Sequence, residues 1–342
     1  MASMVVTSTM AESITAQAME AEKPAIIKKA TRTAFGETLV ELLEEGHDVV
    51  AVDADLSGST TSAALAKVAP ERHFNVGIAE QNMIGVAAGL ALAGKIAFTG
   101  SFAVFGTGRV YDQIRNTVCY AKLNVKIAPT HAGISVAADG GSHQMVEDIA
   151  LMRVLPNMRV LVPADYQSAK AALRIAAQTP GPFYIRMGRA NVPVIYDRQA
   201  AAAFALGTAR VLREGSDVTL VACGVEVDQA LQAAVMLARD GISAEVIDAF
   251  SIKPLDEATI LASIRKTGAV VTCEEHSIIG GLGSTVAELL VEQPDIGSLL
   301  RTPLKRIGVL DRFGTSGEFK ELFAEYSLDA QAIYTAAREM LQ

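Results

Sequence analysis

The chain has 342 residues, of which 50% are hydrophobic and 20% are charged, so it is long enough to form two ordinary α/β domains. A net charge of −8 at pH 7 and a pI near 5.3 argue against a surface that binds nucleic acid or an anionic membrane. Cys119, Cys223 and Cys273 lie far apart and form no CxxC pair, so we predict reduced, buried thiols and no metal site.

Two segments bear on targeting and membrane insertion. Residues 1–24 have no early Lys or Arg and no apolar run of signal-peptide length, so they predict a disordered tail. Residues 85–105 are almost uncharged and about long enough to cross a bilayer, but Lys95 and several glycines interrupt them. A buried helix, turn and strand explains this run better, and we expect a cytoplasmic protein.

The chain begins to fold near residue 28, with a helical period over residues 31–45. An apolar strand at 48–52 then runs directly into a polar loop, residues 53–60, which contains Asp55 and Ser59. Such loops lie at the sheet edge where α/β proteins bind ligands. The loop's hydroxyl and N–H groups are able to hold a phosphate, and an ordinary N-cap of the predicted helix 61–68 is the alternative.

Residues 74–94 predict a short strand, a turn at Gly77 and a helix that ends at Gly94. Glu80 lies in the first helical turn, on the face that should point into the core. That face also carries Met83, Ile84, Ala87, Ala88 and Ala91. A carboxylate there is costly unless something pairs with it; the alternative is a surface Glu that interacts favourably with the helix dipole.

An aromatic pair follows the predicted strand 95–99. Phe102 and Phe105 are three residues apart, which places both rings on one face of a turn or helix. In a chain with 5% aromatic residues and no Trp, this pair can form a flat wall on which a ring stacks. Core packing is the alternative. A predicted helix over residues 111–120 follows.

The predicted strand 123–129 ends in a loop that contains His131, Asp139 and His143. Loops at strand ends carry chemistry because a rigid sheet positions them, so this loop predicts either a functional or a structural role for its histidines. A metal site is the weaker reading, since no third ligand stands at a helical spacing. Farther on, Arg186 and Arg189 emerge at the end of the predicted strand 182–187. Each guanidinium is able to hold a phosphate through two hydrogen bonds, and an arginine in a solvated loop is the alternative.

The second half repeats the alternation of strands and helices after a segment of mixed polarity. We therefore predict one domain over residues 25–193, a linker over 194–205 and a second domain over 206–342. The GGLG run at residues 280–283 indicates close packing of a helix on a sheet, since it does not meet the dinucleotide pattern. We interpret His276 as a packing residue, and His47 and His73 have no evident chemical partner.

Together these motifs resemble the C-terminal half of transketolases, from about Ala30 onward. The motifs, in chain order, are ATR, DADLSGST, GIAEQ, SFxxF, THx(7)DGxxHQ and GRANVP. The resemblance extends to 1-deoxyxylulose-5-phosphate synthases. It implies an α/β fold with two domains: a pyrimidine-binding domain, in which helices cover both faces of a parallel sheet, and a transketolase C-terminal-like domain.

The resemblance also implies roles for named residues. Glu80 would pair with N1′ of the aminopyrimidine ring of thiamine diphosphate, and His143 would lie near the reacting carbonyl. The cofactor would further contact Phe105, Phe102, Asp55 and Leu56. The substrate would contact Asp139 through a hydroxyl and, through its phosphate, Arg32, Ser59, His131 and Arg189.

Two departures from the family pattern define what the chain lacks. A third aromatic is often found three residues after Phe105, where this chain has Gly108. No GDG motif, which holds Mg²⁺ and the diphosphate in such enzymes, occurs anywhere in the sequence. The resemblance therefore implies one subunit of a split transketolase that transfers two-carbon ketol units between sugar phosphates. Its partner would be an N-terminal subunit with the GDG motif, in an α2β2 heterotetramer.

Three other functions remain open from the sequence. A split 1-deoxyxylulose-5-phosphate synthase shares most of the motifs. The β subunit of a 2-oxoacid dehydrogenase has the same two-domain layout but usually lacks the THx(7)DGxxH loop. A regulatory half that binds thiamine diphosphate without catalysis is the non-enzymatic alternative, and turnover by the assembled chains distinguishes it.

Overall fold

The structure is a computed structural model that describes residues 27–293 and 304–342. The tail predicted at residues 1–24 lies outside these ranges. The strands are β1 (Lys28–Ala30), β2 (Val49–Asp53), β3 (His73–Asn75), β4 (Ile96–Gly100), β5 (Val125–Ile127), β6 (Arg159–Leu161), β7 (Phe183–Ile185), β8 (Asn191–Pro193), β9 (Arg210–Arg213), β10 (Val218–Ala222), β11 (Ala244–Asp248), β12 (Ser251–Lys253), β13 (Val270–Ser277) and β14 (Lys305–Val309).

Helices separate most of these strands. The α-helices are Thr31–Glu44, Ser57–Thr60, Ala63–Val68, Glu80–Leu92, Asp148–Arg153, Tyr166–Gln178, Arg198–Ala201, Glu226–Arg239, Glu257–Thr267, Leu282–Val291, Phe319–Glu325 and Ala330–Leu341. Shorter helical segments are 3₁₀ at Pro70–Arg72 and Ile134–Asp139, and π at Val104–Gly108 and Gln113–Cys119. In the described ranges, no helix is both long and apolar enough to span a bilayer.

The first sheet has seven strands in the order β12-β6-β7-β5-β4-β2-β3. All neighbouring pairs are parallel except β12 with β6. The inner strand β2 is buried along its whole length, as expected for a parallel strand covered by helices on both faces. The second sheet, β14-β13-β10-β11-β9, is parallel apart from its edge strand β9. The predicted α/β fold class is confirmed.

The two halves of the chain contact each other in ways that the sequence analysis did not predict. Strand β12 comes from the second half of the chain, yet it completes the edge of the first sheet beside β6. The predicted linker is also well packed, since Phe204 lies against the rings of Tyr196 and Phe250 at centroid distances of 4.9 and 4.4 Å. The Tyr196 hydroxyl donates to Asp248 at 2.6 Å. These contacts join the two halves into one packed body.

Two further local predictions can be compared with the structure. The helix predicted at 61–68 is present but begins at Ala63, because Thr61 has φ 73° and ends the preceding short helix Ser57–Thr60. The GGLG run packs as expected, since a Cβ on Gly281 would clash with the Glu274 carboxylate and one on Gly283 would lie 2.7 Å from the Thr272 hydroxyl.

Candidate active site

The candidate site lies at the carboxyl edge of the first sheet. Strands β2, β3, β4, β5 and β7 are parallel, so the loops that follow them meet at one edge. The segments after these strands carry the residues that the sequence singled out, except Arg32, which lies in the helix Thr31–Glu44. Among them, Phe102 and Thr130 form an isolated parallel bridge, which extends the pairing of β4 and β5 and holds the aromatic pair beside the histidine loop (residues 131–144).

Glu80 begins the helix Glu80–Leu92 and its side chain is only 4% exposed. Its carboxylate pairs with Arg109 Nη1 at 3.0 Å, and the Arg109 side chain is 49% exposed. The Arg109 guanidinium also lies over the Phe105 ring, 4.6 Å from the centroid, a cation–π distance. A planar cation thus occupies the space between a buried carboxylate and an aromatic face.

The two phenylalanines and two histidines form a contiguous cluster. The Phe102 ring stacks on His131 at 3.8 Å between centroids, and the Phe105 ring meets His143 edge-on at 5.4 Å. Phe102 and Phe105 are stacked at 6.2 Å. The two rings are nearly parallel, at an interplanar angle of 17°, and the histidine loop lies along one side of the pair. That a further ring stacks on them stays a prediction.

His131 is a buried residue held in an uncommon backbone conformation, with φ 60°. Burial, followed by the charges of Arg32 and Arg189, lowers the pKa of His131 to about 3. The imidazole is therefore neutral at pH 7. Its Nδ1 lies 2.7 Å from the Thr130 hydroxyl, so this ring is fixed in place and able to form a hydrogen bond without carrying charge.

Positive charge concentrates beside the histidine loop. Arg32 Nη1 donates to the Ser59 carbonyl at 2.9 Å. Arg189 Nε lies 4.0 Å from the Asp139 carboxylate, and its Nη1 donates to the Val136 carbonyl at 3.4 Å. Burial and the neighbouring Arg189 lower the pKa of Arg32, which shows that the two guanidinium groups share one small region. Four of the predicted phosphate and hydroxyl contacts, Arg32, Ser59, Asp139 and Arg189, are thus brought together.

The loop after β2 is held by a buried carboxylate that the sequence analysis did not single out. Asp53 accepts from the Leu56 N–H at 2.6 Å and from the Ser62 hydroxyl at 3.0 Å. The expectation that His73 lacks a partner is wrong, because its Nε2 lies 3.1 Å from Ser62 Oγ. Asp55 is exposed, with φ 63°, and among the described residues it bonds to the Asn75 side chain and not to the aromatic cluster.

Arg186 does not belong to this positive group. Its side chain is buried and pairs with Asp148 at 2.8 Å, and its Nη2 donates to the Glu275 carbonyl at 2.8 Å. Burial opposes its charge, but the Asp148 and Glu275 carboxylates outweigh this and raise the pKa of Arg186 above the ordinary value. Neither alternative predicted for Arg186, a phosphate contact or a solvated loop, is therefore correct, and the residue instead ties the end of β7 to strand β13.

Comparison with known proteins agrees with this geometry. The transketolase pyrimidine-binding domain matches residues 27–194, and the transketolase C-terminal domain matches residues 207–333. A protein of Methanocaldococcus jannaschii named as a transketolase C-terminal section is 50% identical over 90% of this chain and 95% of its own. The chain belongs to the transketolase family. The resemblance inferred from the motifs is confirmed, and family membership implies dependence on thiamine diphosphate.

Further members of the transketolase family match at similar or greater length. A 6-deoxy-6-sulfo-D-fructose transketolase subunit of Clostridium sp. is 43% identical over 91% of this chain and 94% of its own. A 1-deoxy-D-xylulose-5-phosphate synthase of Geobacter sulfurreducens is 38% identical over 90% of this chain and 47% of its own. Among solved structures, a split-gene transketolase described as an inactive β4 tetramer is 49% identical, with a TM-score of 0.81 over 91% of this chain and 98% of that one.

Proposed function

We propose that this chain is the C-terminal subunit of a two-chain transketolase that transfers a two-carbon ketol unit from a ketose phosphate to an aldose phosphate. The observation that carries the proposal is the position of Glu80. Its carboxylate is almost fully buried and faces the same space as the Phe105 ring, and among the described residues its charge partner is a half-exposed arginine. A buried carboxylate beside an aromatic face suits an aminopyrimidine ring, because a protonated ring nitrogen donates a hydrogen bond to the carboxylate while the ring stacks on the aromatic face.

The residues of this chain would bind and activate the cofactor from its pyrimidine side. Thiamine diphosphate supplies the means to stabilise the carbanion that forms when the ketose carbon–carbon bond breaks. Glu80 would hold the proton at N1′, and Phe105 would stack on the ring. Phe102 would line the same space, with Asp55 and Leu56 at its edge. The aromatic cluster and the buried helix start support these assignments.

The positive group beside the histidine loop suits the phosphate of the substrate. Arg32 and Arg189 would supply charge, while Ser59 and the neutral His131 would supply hydrogen bonds. His143 lies against the Phe105 ring edge, so it would stand next to the cofactor and contact the reacting carbonyl. Asp139, 4.0 Å from Arg189, would contact a substrate hydroxyl. We therefore propose sugar phosphates as the substrate class.

A partner subunit completes the proposed enzyme. The sequence has no GDG motif, and the relatives that match over nearly their whole length are named as a C-terminal section and as a subunit. We propose that an N-terminal subunit with the GDG motif holds the diphosphate and Mg²⁺, in an α2β2 assembly. The inactive β4 tetramer of a related chain supports the expectation that this chain has no activity alone.

The decisive experiment is to purify this chain with a GDG-bearing partner and to assay it with thiamine diphosphate and Mg²⁺. We expect ketol transfer from xylulose 5-phosphate to ribose 5-phosphate only when both chains are present. A sulfonated ketose and the pair pyruvate plus glyceraldehyde 3-phosphate are run beside it, because relatives are named for a sulfosugar transketolase and for a deoxyxylulose phosphate synthase. Turnover of pyruvate without ketol transfer would establish the synthase instead, and cofactor binding without turnover would establish a regulatory half.

Glu80→Gln tests the role of the carboxylate in the same complex. The substitution keeps the shape of the side chain but removes its ability to hold the proton, so we expect turnover to fall by two to four orders of magnitude, the usual size of general acid–base catalysis. Glu321→Gln, at an exposed position, is the matched control and should retain wild-type turnover. Near-normal turnover by a folded, assembled Glu80→Gln complex would refute the assignment.

A further inference from the structure

The histidine loop is held by the second half of the chain at three points. Ser316 Oγ donates to the Ala138 carbonyl at 2.5 Å. The Gln144 side-chain amide donates to the Thr315 carbonyl at 2.9 Å. The Glu275 carboxylate accepts from the Ser135 N–H. All three partners lie in the C-terminal half, whereas the loop follows β5 of the first sheet.

Two of these contacts flank the residues with proposed substrate roles. Ala138 immediately precedes Asp139, and Gln144 immediately follows His143. A hydrogen bond to the Ala138 carbonyl fixes the peptide group that leads into Asp139. The Gln144 side chain is buried, and its amide also donates to Ile134 and Ala137 carbonyls inside the loop, at 3.2 and 3.4 Å. It therefore links the loop's own backbone to residues 314–316, which we name the brace.

Two glycines allow the brace to approach this closely. A Cβ on Gly141 would clash with the Gly314 carbonyl oxygen, and a Cβ on Gly314 would clash with Gln144 Oε1. The helix Phe319–Glu325, which follows the brace, carries Leu322 and Phe323 in the same buried cluster as Ile134 and Ala137 of the loop. The contact is thus a packed interface and not a single hydrogen bond.

The loop needs such support because its backbone is unfavourable by itself. Ala137 has φ 66° and ψ −114°, a conformation that side chains with a Cβ adopt at a cost of about 1–3 kcal/mol and that persists only where the surroundings impose it. The hydrogen bonds to Ala137 and Ala138 surround this residue. Their loss would let the loop relax toward other conformations and would displace Asp139.

We infer that the brace, residues 314–316 of the second domain, is a positioning element for substrate, which sets the places of Asp139 and His143 through Ser316, Gly314 and Gln144. This inference rests on the proposed function for its catalytic consequence. Among the residues that the structure describes, the brace bonds to the histidine loop and not to Glu80 or Phe105, so we expect it to act mainly on the substrate side of the site.

The test uses Ser316→Ala in the assembled two-chain enzyme. Losing one hydrogen bond that holds the loop should lower kcat/KM for the sugar phosphates about three- to ten-fold, mainly through a higher KM. The half-saturating concentration of thiamine diphosphate should not change. Ser316→Thr restores the hydroxyl and should recover most of the loss. Gly314→Ala, which pushes on Gln144, should cause a larger loss with the same pattern.

Controls separate positioning from simple destabilisation. Ser216→Ala removes an exposed hydroxyl that bonds within the second half, and it should leave KM unchanged. A purely structural effect of Ser316→Ala would lower the active fraction, and hence kcat, at constant KM. That result, or wild-type kcat/KM in both Ser316→Ala and Gly314→Ala, would overturn the inference.

Amide hydrogen exchange provides a readout that does not depend on the reaction. In the assembled complex, Ser316→Ala should speed exchange in residues 133–144 at least several-fold, without change in the helix Glu80–Leu92. Unchanged exchange in the loop would overturn the inference even if the enzyme is active. If the wild-type complex transfers no ketol unit, the proposed function fails, and the exchange result alone decides whether the brace holds the loop.

Discussion

At the scale of single residues, Arg109 is the least expected member of the site. A guanidinium is planar, donates hydrogen bonds and stacks on aromatic rings, and Arg109 makes both kinds of contact, with Glu80 and with Phe105. These are the two contacts that the proposed role of the site assigns to an aminopyrimidine. Under the proposed function, Arg109 stabilises the buried carboxylate in the chain alone and would have to leave when the cofactor binds.

Arg109→Ala should consequently strengthen cofactor binding in the assembled enzyme. An ion pair with one half-exposed partner is worth about 1 kcal/mol or less, so the half-saturating concentration of thiamine diphosphate should fall about two- to five-fold in a titration of activity or of intrinsic fluorescence. Arg239→Ala, at an exposed helix end, is the control and should have no effect. Weaker binding by Arg109→Ala would mean that the arginine supports the bound cofactor.

At the scale of elements, the segment between the two domains and strand β11 meet at a buried carboxyl group. Asp248 accepts from the Tyr196 hydroxyl, and burial raises the pKa of Asp248 to about 7 despite that hydrogen bond. The folded state therefore holds this proton more tightly than the unfolded state does. Its contribution to stability is complete below about pH 4 and is lost as the pH rises through 7.

Asp248→Asn should remove this pH dependence while keeping an acceptor for Tyr196. The melting temperature of the variant minus that of wild type should rise from pH 5 to pH 8. The rise should correspond to roughly 2 kcal/mol in the free energy of unfolding. The comparison cancels the other titrating groups, including His131 and His276, whose lowered pKa values favour the folded state as the pH rises. Asp311→Asn, at an exposed position, should show no such trend. A constant difference across the range would contradict the assignment.

Local elements were predictable because their signals are local. Buried strands, glycine stops and the helix at Glu80 follow from runs and periods within about 15 residues, and the site residues follow strands whose ends must share an edge. The missed features join residues far apart in the chain. Arg109 reaches Glu80 over 29 positions, Gln144 reaches Thr315 over 171, and β12 joins a sheet of the other half. The periodicity of the sequence does not predict such long-range contacts, because they depend on how whole helices and strands pack against each other.

At the scale of the whole molecule, the described residues leave one face of the helix Glu80–Leu92 exposed. Ile78, which precedes the helix, and Leu92, its last residue, are 79% and 74% exposed. Between them, a Cβ added to Gly85 or Gly89 would meet nothing within 4 Å. Large apolar side chains around small residues are typical of surfaces where another helix packs closely. The same helix starts at Glu80, so a subunit docked here would adjoin the candidate site.

Gly89→Arg should therefore disrupt assembly without harming the fold. Arginine has a higher helix propensity than glycine, and the side chain would extend into open space, so the melting temperature of the monomeric species should be retained. By sedimentation, the variant should form smaller species than wild type, alone and with the partner subunit, and thiamine-dependent activity should fall in proportion. Ala262→Arg, on the exposed side of the helix Glu257–Thr267, is the matched control. Assembly of Gly89→Arg to the wild-type mass would show that subunits associate through another surface, because a charged side chain as long as arginine does not fit between two closely packed helices.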